Sequence, residues 1–147
     1  MADAAPLPEV TAVIPHRPPF LFVDRIVSLT PEKVVGERTF RADEDFFKGH
    51  FPDHPVVPGV ILMEGLAQTM AYAALHGTKA ERVFLIGIEK ARFRAMITPG
   101  MTVTYEVTFG EQRFGTLTGK GKVRAGEQRV AEAELKGWAG DTKGMLG

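Results

Sequence analysis

The sequence predicts an α+β fold, an antiparallel β-sheet wrapped around one central hydrophobic α-helix, and three features carry that expectation. Val60 to Leu75 is a sixteen-residue apolar run, too long for one strand and without the β-branched enrichment a strand shows. The C-terminal third alternates apolar and polar residues over three successive segments, which places one face of each in a core. Small residues at Gly115, Gly119, Gly121 and Ala133 allow strand backbones to approach the helix or each other.

The elements follow in chain order. Residues 1 to about 10 are rich in alanine and proline and read as a loose tail, followed by a helical turn from Glu9 to Ile14. Phe20 to Leu29 reads as a strand, Thr30-Pro31-Glu32 as a turn and Lys33 to Phe40 as its hairpin partner. Asp24 and Arg25 are expected to form a structural ion pair, and His16 to make local hydrogen bonds. A turn-rich loop, Arg41 to Val57, feeds the helix, and Gly77 stops it, with His76 as a last-turn residue on the favourable end of the dipole.

Helix formers fill the run: Leu62, Met63, Leu66, Ala67, Met70, Ala71, Ala73 and Ala74. Apolar residues stand at nearly every angle around the axis, the pattern of a helix surrounded by other elements. Arg82 to Glu89 is the next strand, Ala91 to Ile97 is less regular, and Pro99-Gly100 is a turn. Met101, Val103, Tyr105, Val107 and Phe109 then alternate with Thr102, Thr104, Glu106 and Thr108. Phe114 to Ala125 continues the alternation, Ala125-Gly126-Glu127 makes a tight turn, and Gln128 to Trp138 closes the sheet. Residues from Ala139 onward read as disordered. The 147 residues are expected to form a single domain with about 1–10 and 139–147 flexible.

Charge and composition narrow the function classes. Lysine plus arginine and aspartate plus glutamate number 18 each, so no net field draws nucleic acid or an anionic membrane. There is no cysteine, which removes disulfides, thiolate nucleophiles and cysteine metal sites and agrees with a reducing cytoplasm. MADAAPLPEV lacks the basic-then-apolar pattern of a signal peptide, and Glu64 and Gln68 interrupt the one long apolar run. A cytoplasmic location is expected, with no membrane partner.

Those two polar residues lie one turn apart on the same helix face. A carboxyl group in so apolar a cylinder favours its uncharged, proton-carrying form and could give up that proton. The alternative is a face open to solvent or to an interface. His50, in Gly49-His50-Phe51-Pro52 just ahead of the helix, has the chemistry of a general base, and reads equally as a loop histidine bonded to backbone. Pro58-Gly59 lies between them. Gly59 has no side chain, so its N–H, one of the unpaired donors at the helix start, could polarise a ligand carbonyl; ordinary helix-start chemistry explains the pair as well. Base, acid and oxyanion donor within fifteen residues fit proton abstraction next to a carbonyl with loss of a β-hydroxyl, a dehydration. His50 and His54 sit in a proline-broken loop, not on a helix, and with Glu64 do not read as a metal site.

Gly49-His50-Phe51-Pro52, Pro58-Gly59-Val60 and Glu64 with Gln68 resemble the 3-hydroxyacyl-(acyl carrier protein) dehydratases of the FabZ type. The upstream Ile14-Pro15-His16-Arg17-Pro18-Pro19-Phe20-Leu21-Phe22-Val23-Asp24-Arg25 resembles the N-terminal signature of that family, and Lys90 to Arg94 with Pro99-Gly100 its later one. Pro18 departs from the family, which commonly has an aromatic residue there.

The resemblance implies the hot-dog fold and a reaction on a thioester. His50 would remove the proton next to the carbonyl, Glu64 would protonate the departing hydroxyl, the Gly59 N–H would polarise the carbonyl, and Gln68 would orient Glu64. The related FabA-type dehydratase/isomerases carry aspartate at the helix position, so Glu64 points to plain dehydration. No cofactor is implied, since the substrate rides on the phosphopantetheine of acyl carrier protein, the expected partner. A tunnel lined by Phe20, Phe22, Leu62, Ile86 and Ile88 would hold the acyl chain, and Lys90, Arg92 and Arg94 are candidate carrier-protein contacts or a solvated charged edge. The resemblance further implies a homodimer with shared sites that can assemble into a trimer of dimers. The competing readings are a hot-dog acyl thioesterase and a non-catalytic acyl-thioester binding module.

Overall fold

Five antiparallel pairings join six strands into one sheet, in the order β1-β2-β4-β5-β6-β3. The computed structural model describes residues 6–140. Its elements are α1 (Val10–Val13), β1 (Arg25–Leu29), β2 (Lys33–Thr39), a 3₁₀ turn (Asp45–Lys48), α2 (Gly59–Leu75), β3 (Arg82–Phe93), β4 (Thr102–Arg113), β5 (Thr116–Ala125) and β6 (Gln128–Gly140). The sheet curls around α2, which touches β2, β3, β4, β5 and β6, and this is the hot-dog arrangement.

Alternation accounts for the curl. Val103, Tyr105 and Val107 of β4, Leu117 and Val123 of β5 and Ala131, Ala133 and Leu135 of β6 are buried, while their polar neighbours face outward. The helix answers with Leu62, Met63, Leu66, Met70 and Leu75, all buried. At about 25 cal/mol per Å² of apolar surface, a fully buried side chain of this kind stabilises by roughly 1.5–3 kcal/mol relative to exposure, so this layer is the main source of fold stability.

The close approach of helix and sheet is set at Gly65. A Cβ built there would lie 2.2 Å from the Tyr105 ring and hydroxyl, and Tyr105 is fully buried with its O–H donated to the Phe22 carbonyl at 2.8 Å. Gly65→Ala gains helix propensity of up to about 1 kcal/mol. Overpacking of a ring that cannot swing away costs about 1–3 kcal/mol or more, so the net expectation is a loss near 2 kcal/mol in chemical denaturation. A variant as stable as the wild type would show that Tyr105 yields. Gly119 and Gly121 serve the same approach against Met70 and Leu66, whereas Gly115 sits at the β4–β5 hairpin tip with φ +82°.

Five sequence expectations are corrected. Only Arg25–Leu29 of the expected Phe20 to Leu29 strand is paired; Pro18 and Pro19 lead into a strap whose backbone is satisfied by side chains. Asp24 does not pair with Arg25. Asp24, the last residue of the strap, accepts from Arg38 at 2.9 Å, whereas Arg25, the first of β1, donates to Glu37 at 2.6 Å. β3 runs on to Phe93 through two register shifts, with Lys90 at φ +54°. Ala139 and Gly140, expected in a disordered tail, belong to β6; 141–147, like 1–5 of the loose tail, lie outside the described residues. Pro8, also expected in that tail, accepts the Tyr72 hydroxyl at 2.7 Å.

Arg38 is the one buried cation of the core among the described residues. Its guanidinium donates to Asp24 at 2.9 Å and to Glu44 at 2.7 Å and lies over the rings of Phe22 and Phe40. It thereby ties β2 to the loop that carries His50.

Candidate active site

The strap from Ile14 to Asp24, the loop from Arg41 to Pro58 and the first turns of α2 meet at the helix N-terminus. Gln68, fully buried, organises them. Its Oε1 accepts the Phe22 N–H at 2.8 Å, which fixes the amide orientation, and its Nε2 donates to the Phe20 carbonyl at 3.1 Å and to Glu64 Oε2 at 2.9 Å. The polar misfits of the helix are thus joined to each other, and one of them holds the strap in place.

Glu64 is half-buried, its side chain 22% exposed. Oε2 receives the Gln68 amide and lies 3.8 Å from His16 Nε2, while Oε1 takes no hydrogen bond from the described residues. A cavity of about 60 Å³ next to it is lined by His16, Glu64, Ala67, Met70, Ala71, Val83 and Leu85.

His50 is half-buried on the loop. Its N–H donates to Phe46 at 3.1 Å, its carbonyl accepts from Val56 at 3.0 Å, and Phe51 stacks on the ring at 4.1 Å. Nδ1 lies 3.0 Å from the Val56 carbonyl, which can only accept, so Nδ1 carries the proton and Nε2 is the free, basic nitrogen. Within one chain no hydrogen bond or ion pair joins His50 to Glu64 among the described residues.

Gly59 opens α2 after Pro58. Neither its N–H nor that of Val60 has an acceptor among the described residues; the first donor engaged is Ile61, to Pro58 at 2.9 Å. A Cβ at Gly59 would come within 2.7 Å of the Phe93 ring, so a side chain would have to displace that ring to fit.

The remaining candidates are dispersed. Phe22 and Leu62 are 2% exposed, but Phe20, Ile86 and Ile88 are exposed at 53%, 44% and 42%, so three of the five face outward from the chain. Lys90 pairs with Glu134 at 3.5 Å, Arg94 grips Glu132 through two bonds of 3.2 and 3.1 Å, and Arg92 is exposed without an ion pair among the described residues. Lys90 and Arg92 share a groove of about 290 Å³ with Lys120, Lys122, Arg129, Glu132 and Glu134, five cations against two carboxylates. No group of three or more His, Cys, Asp or Glu side chains stands close enough to hold a metal ion among the described residues. No helix among them is long and apolar enough to cross a membrane.

Sequence reasoning gave His16 only a local role and missed its approach to Glu64. Forty-eight positions separate the two, and no periodicity links a strap to a helix; the signal lay only in a histidine beside an arginine within a proline-rich stretch.

Known proteins give this arrangement a lineage. The model of the FabA-like domain matches residues 14–134. The 3-hydroxyacyl-[acyl-carrier-protein] dehydratase FabZ of Roseiflexus castenholzii is 45% identical over 130 residues, covering 86% of this chain and 91% of that protein. Its namesake from Chloroflexus aggregans is 46% identical over 132 residues, covering 86% and 90%. Among solved structures, the dehydratase heterocomplex ApeI:P from Xenorhabdus doucetiae superposes with a TM-score of 0.84 over 96% of this chain and 97% of that one. At 14% identity that likeness speaks for the fold alone. With a family model matched over most of its length and FabZ relatives at this identity, the chain belongs to the FabA-like family, in its FabZ-type branch.

Proposed function

We propose that this chain is a (3R)-hydroxyacyl-[acyl carrier protein] dehydratase that eliminates water from a 3-hydroxyacyl thioester to give the trans-2-enoyl thioester in fatty acid biosynthesis. The observation that carries the reading is the Glu64 carboxyl, held through Oε2 by Gln68 in an otherwise apolar helix and open at Oε1. His50 Nε2 takes the proton from the carbon next to the thioester carbonyl. Negative charge then grows on the carbonyl oxygen, where the free N–H of Gly59 and the positive end of α2 meet it. Glu64 passes its proton to the β-hydroxyl as the C–O bond breaks, and the C–H electron pair becomes the new double bond. Electrons are neither gained nor lost, so the reaction calls for no redox cofactor.

The site is completed by a second copy of the chain, His50 of one protomer facing Glu64 of the other, in a homodimer that can build a trimer of dimers. What supports this is the separation of the two residues within one chain and the edge of β3, which among the described residues pairs only with β6 and exposes Leu85, Ile86, Ile88 and Phe93. The partner's surface would close Phe20, Ile86 and Ile88 over the acyl chain beside Phe22 and Leu62. Acyl carrier protein, acidic and phosphate-bearing, fits the groove of Lys90 and Arg92, with Arg94 bracing its rim through Glu132. The same reading places the enzyme in the cytoplasm.

The test is the change in enoyl absorbance when purified protein meets 3-hydroxyacyl thioesters of carrier protein and of coenzyme A, with free thiol measured in parallel. Enoyl formation without thiol release is expected. Thiol release would make the chain a thioesterase, and tight binding without reaction a binding module.

A further inference from the structure

The mechanism above leaves one neighbour of the acid without a task. His16 stands in the strap with Nε2 3.8 Å from Glu64 Oε2, the oxygen that already receives the Gln68 amide. Its Nδ1 is buried and has no hydrogen-bond partner among the described residues. Burial lowers its pKa, opposed by the Glu64 charge and assisted by Arg17, so the ring is neutral near neutral pH. A neutral imidazole carries one N–H. A buried N–H without an acceptor is worse than a bare lone pair, so the proton sits on Nε2, on the side of Glu64.

The strap does not hold His16 there by chance. Gln68 binds it at Phe20 and Phe22, the Tyr105 hydroxyl binds the Phe22 carbonyl, and Arg17 donates to the Ile14 and Thr11 carbonyls at 2.9 Å. At 3.8 Å the Nε2–H falls just beyond a direct bond. The adjoining cavity of about 60 Å³, lined by both side chains, has room for a water to bridge them, since one water needs about 10–15 Å³ of such space.

We propose that His16 is a positioning residue for Glu64: Gln68 donates directly to Oε2 and the His16 Nε2–H reaches the same oxygen through one bridging water, so that the acidic proton resides on Oε1, the oxygen left open to the substrate hydroxyl. This rests on Glu64 acting as the acid. A carboxyl oxygen that accepts two donors is the carbonyl-type oxygen, which leaves the other to bear hydrogen. During turnover Oε1–H moves to the hydroxyl as the C–O bond breaks, water departs, and His50 is left with the proton from carbon. The enzyme is restored when His50 loses that proton to solvent and Glu64 takes one up.

The experiment compares kcat and KM of wild type, His16→Phe, His16→Gln and Glu64→Gln on a 3-hydroxyacyl thioester, with thermal melts of each. His16→Phe fills the volume without a donor and is expected to lower kcat about tenfold while KM stays within about twofold. His16→Gln keeps an N–H donor and is expected to recover most of kcat. A structural role alone would lower the melting temperature and treat both substitutions alike. Should His16→Phe not fold, His16→Ala takes its place, with added imidazole expected to restore rate. His16→Phe at wild-type kcat, a loss confined to KM, or His16→Gln as slow as His16→Phe with a wild-type melt would each overturn the inference. If wild type is active and Glu64→Gln is not, such a result sinks only the role of His16. An inactive wild type sinks the functional reading beneath it.

Discussion

His50→Ala and Glu64→Gln each lower dehydration by about 10²–10⁴-fold, the range for loss of a positioned general acid or base. Neither change should unfold the protein. His50 gives up one bond to a backbone carbonyl and a stack on exposed Phe51, and glutamine preserves the volume of Glu64 and an oxygen for the Gln68 amide to reach. What glutamine lacks is a transferable proton. Because both groups act in one elimination step, the double variant should be little slower than the worse single one. Rates from the enoyl absorbance, read beside circular dichroism melts, decide the matter. Most of the wild-type rate surviving in either variant would remove that residue from the chemistry.

The elements that were legible in the sequence are those whose neighbours are local in pattern. α2 is legible because a sixteen-residue, mostly apolar run without β-branched enrichment reads as a buried helix, and β4 to β6 because a period of two admits one reading. The strap was misread as strand for a physical reason. Its composition is that of a strand, but its hydrogen bonds go to Gln68 and Tyr105, residues 46 and 83 positions away, and no local pattern announces them. Arg38 had a signal that went unused. It follows Val34 and Gly36 on the inward side of β2, and a charge on an inward position requires partners, here Asp24 and Glu44. The tunnel residues could be named from resemblance, yet three of the five face outward, since a surface built from two copies has no signature in one.

Two inactive variants should make an active enzyme when their subunits mix. In a dimer of His50→Ala with Glu64→Gln chains, one site inherits both substitutions and the other neither, provided each site takes His50 from one chain and Glu64 from its partner. Random exchange makes half the dimers mixed, each with one of two sites intact, so about one quarter of the wild-type rate returns in a symmetric dimer. If both residues served the same site from a single chain, every site in the mixture would carry one substitution and no rate would return. The starting activities lie at least about a hundredfold down, so recovery to a quarter stands far above background. Light scattering supplies the control. A monomer at micromolar concentration would contradict the shared site outright, and it would leave the apolar edge of β3, with Leu85, Ile86 and Ile88 in water, without a reason.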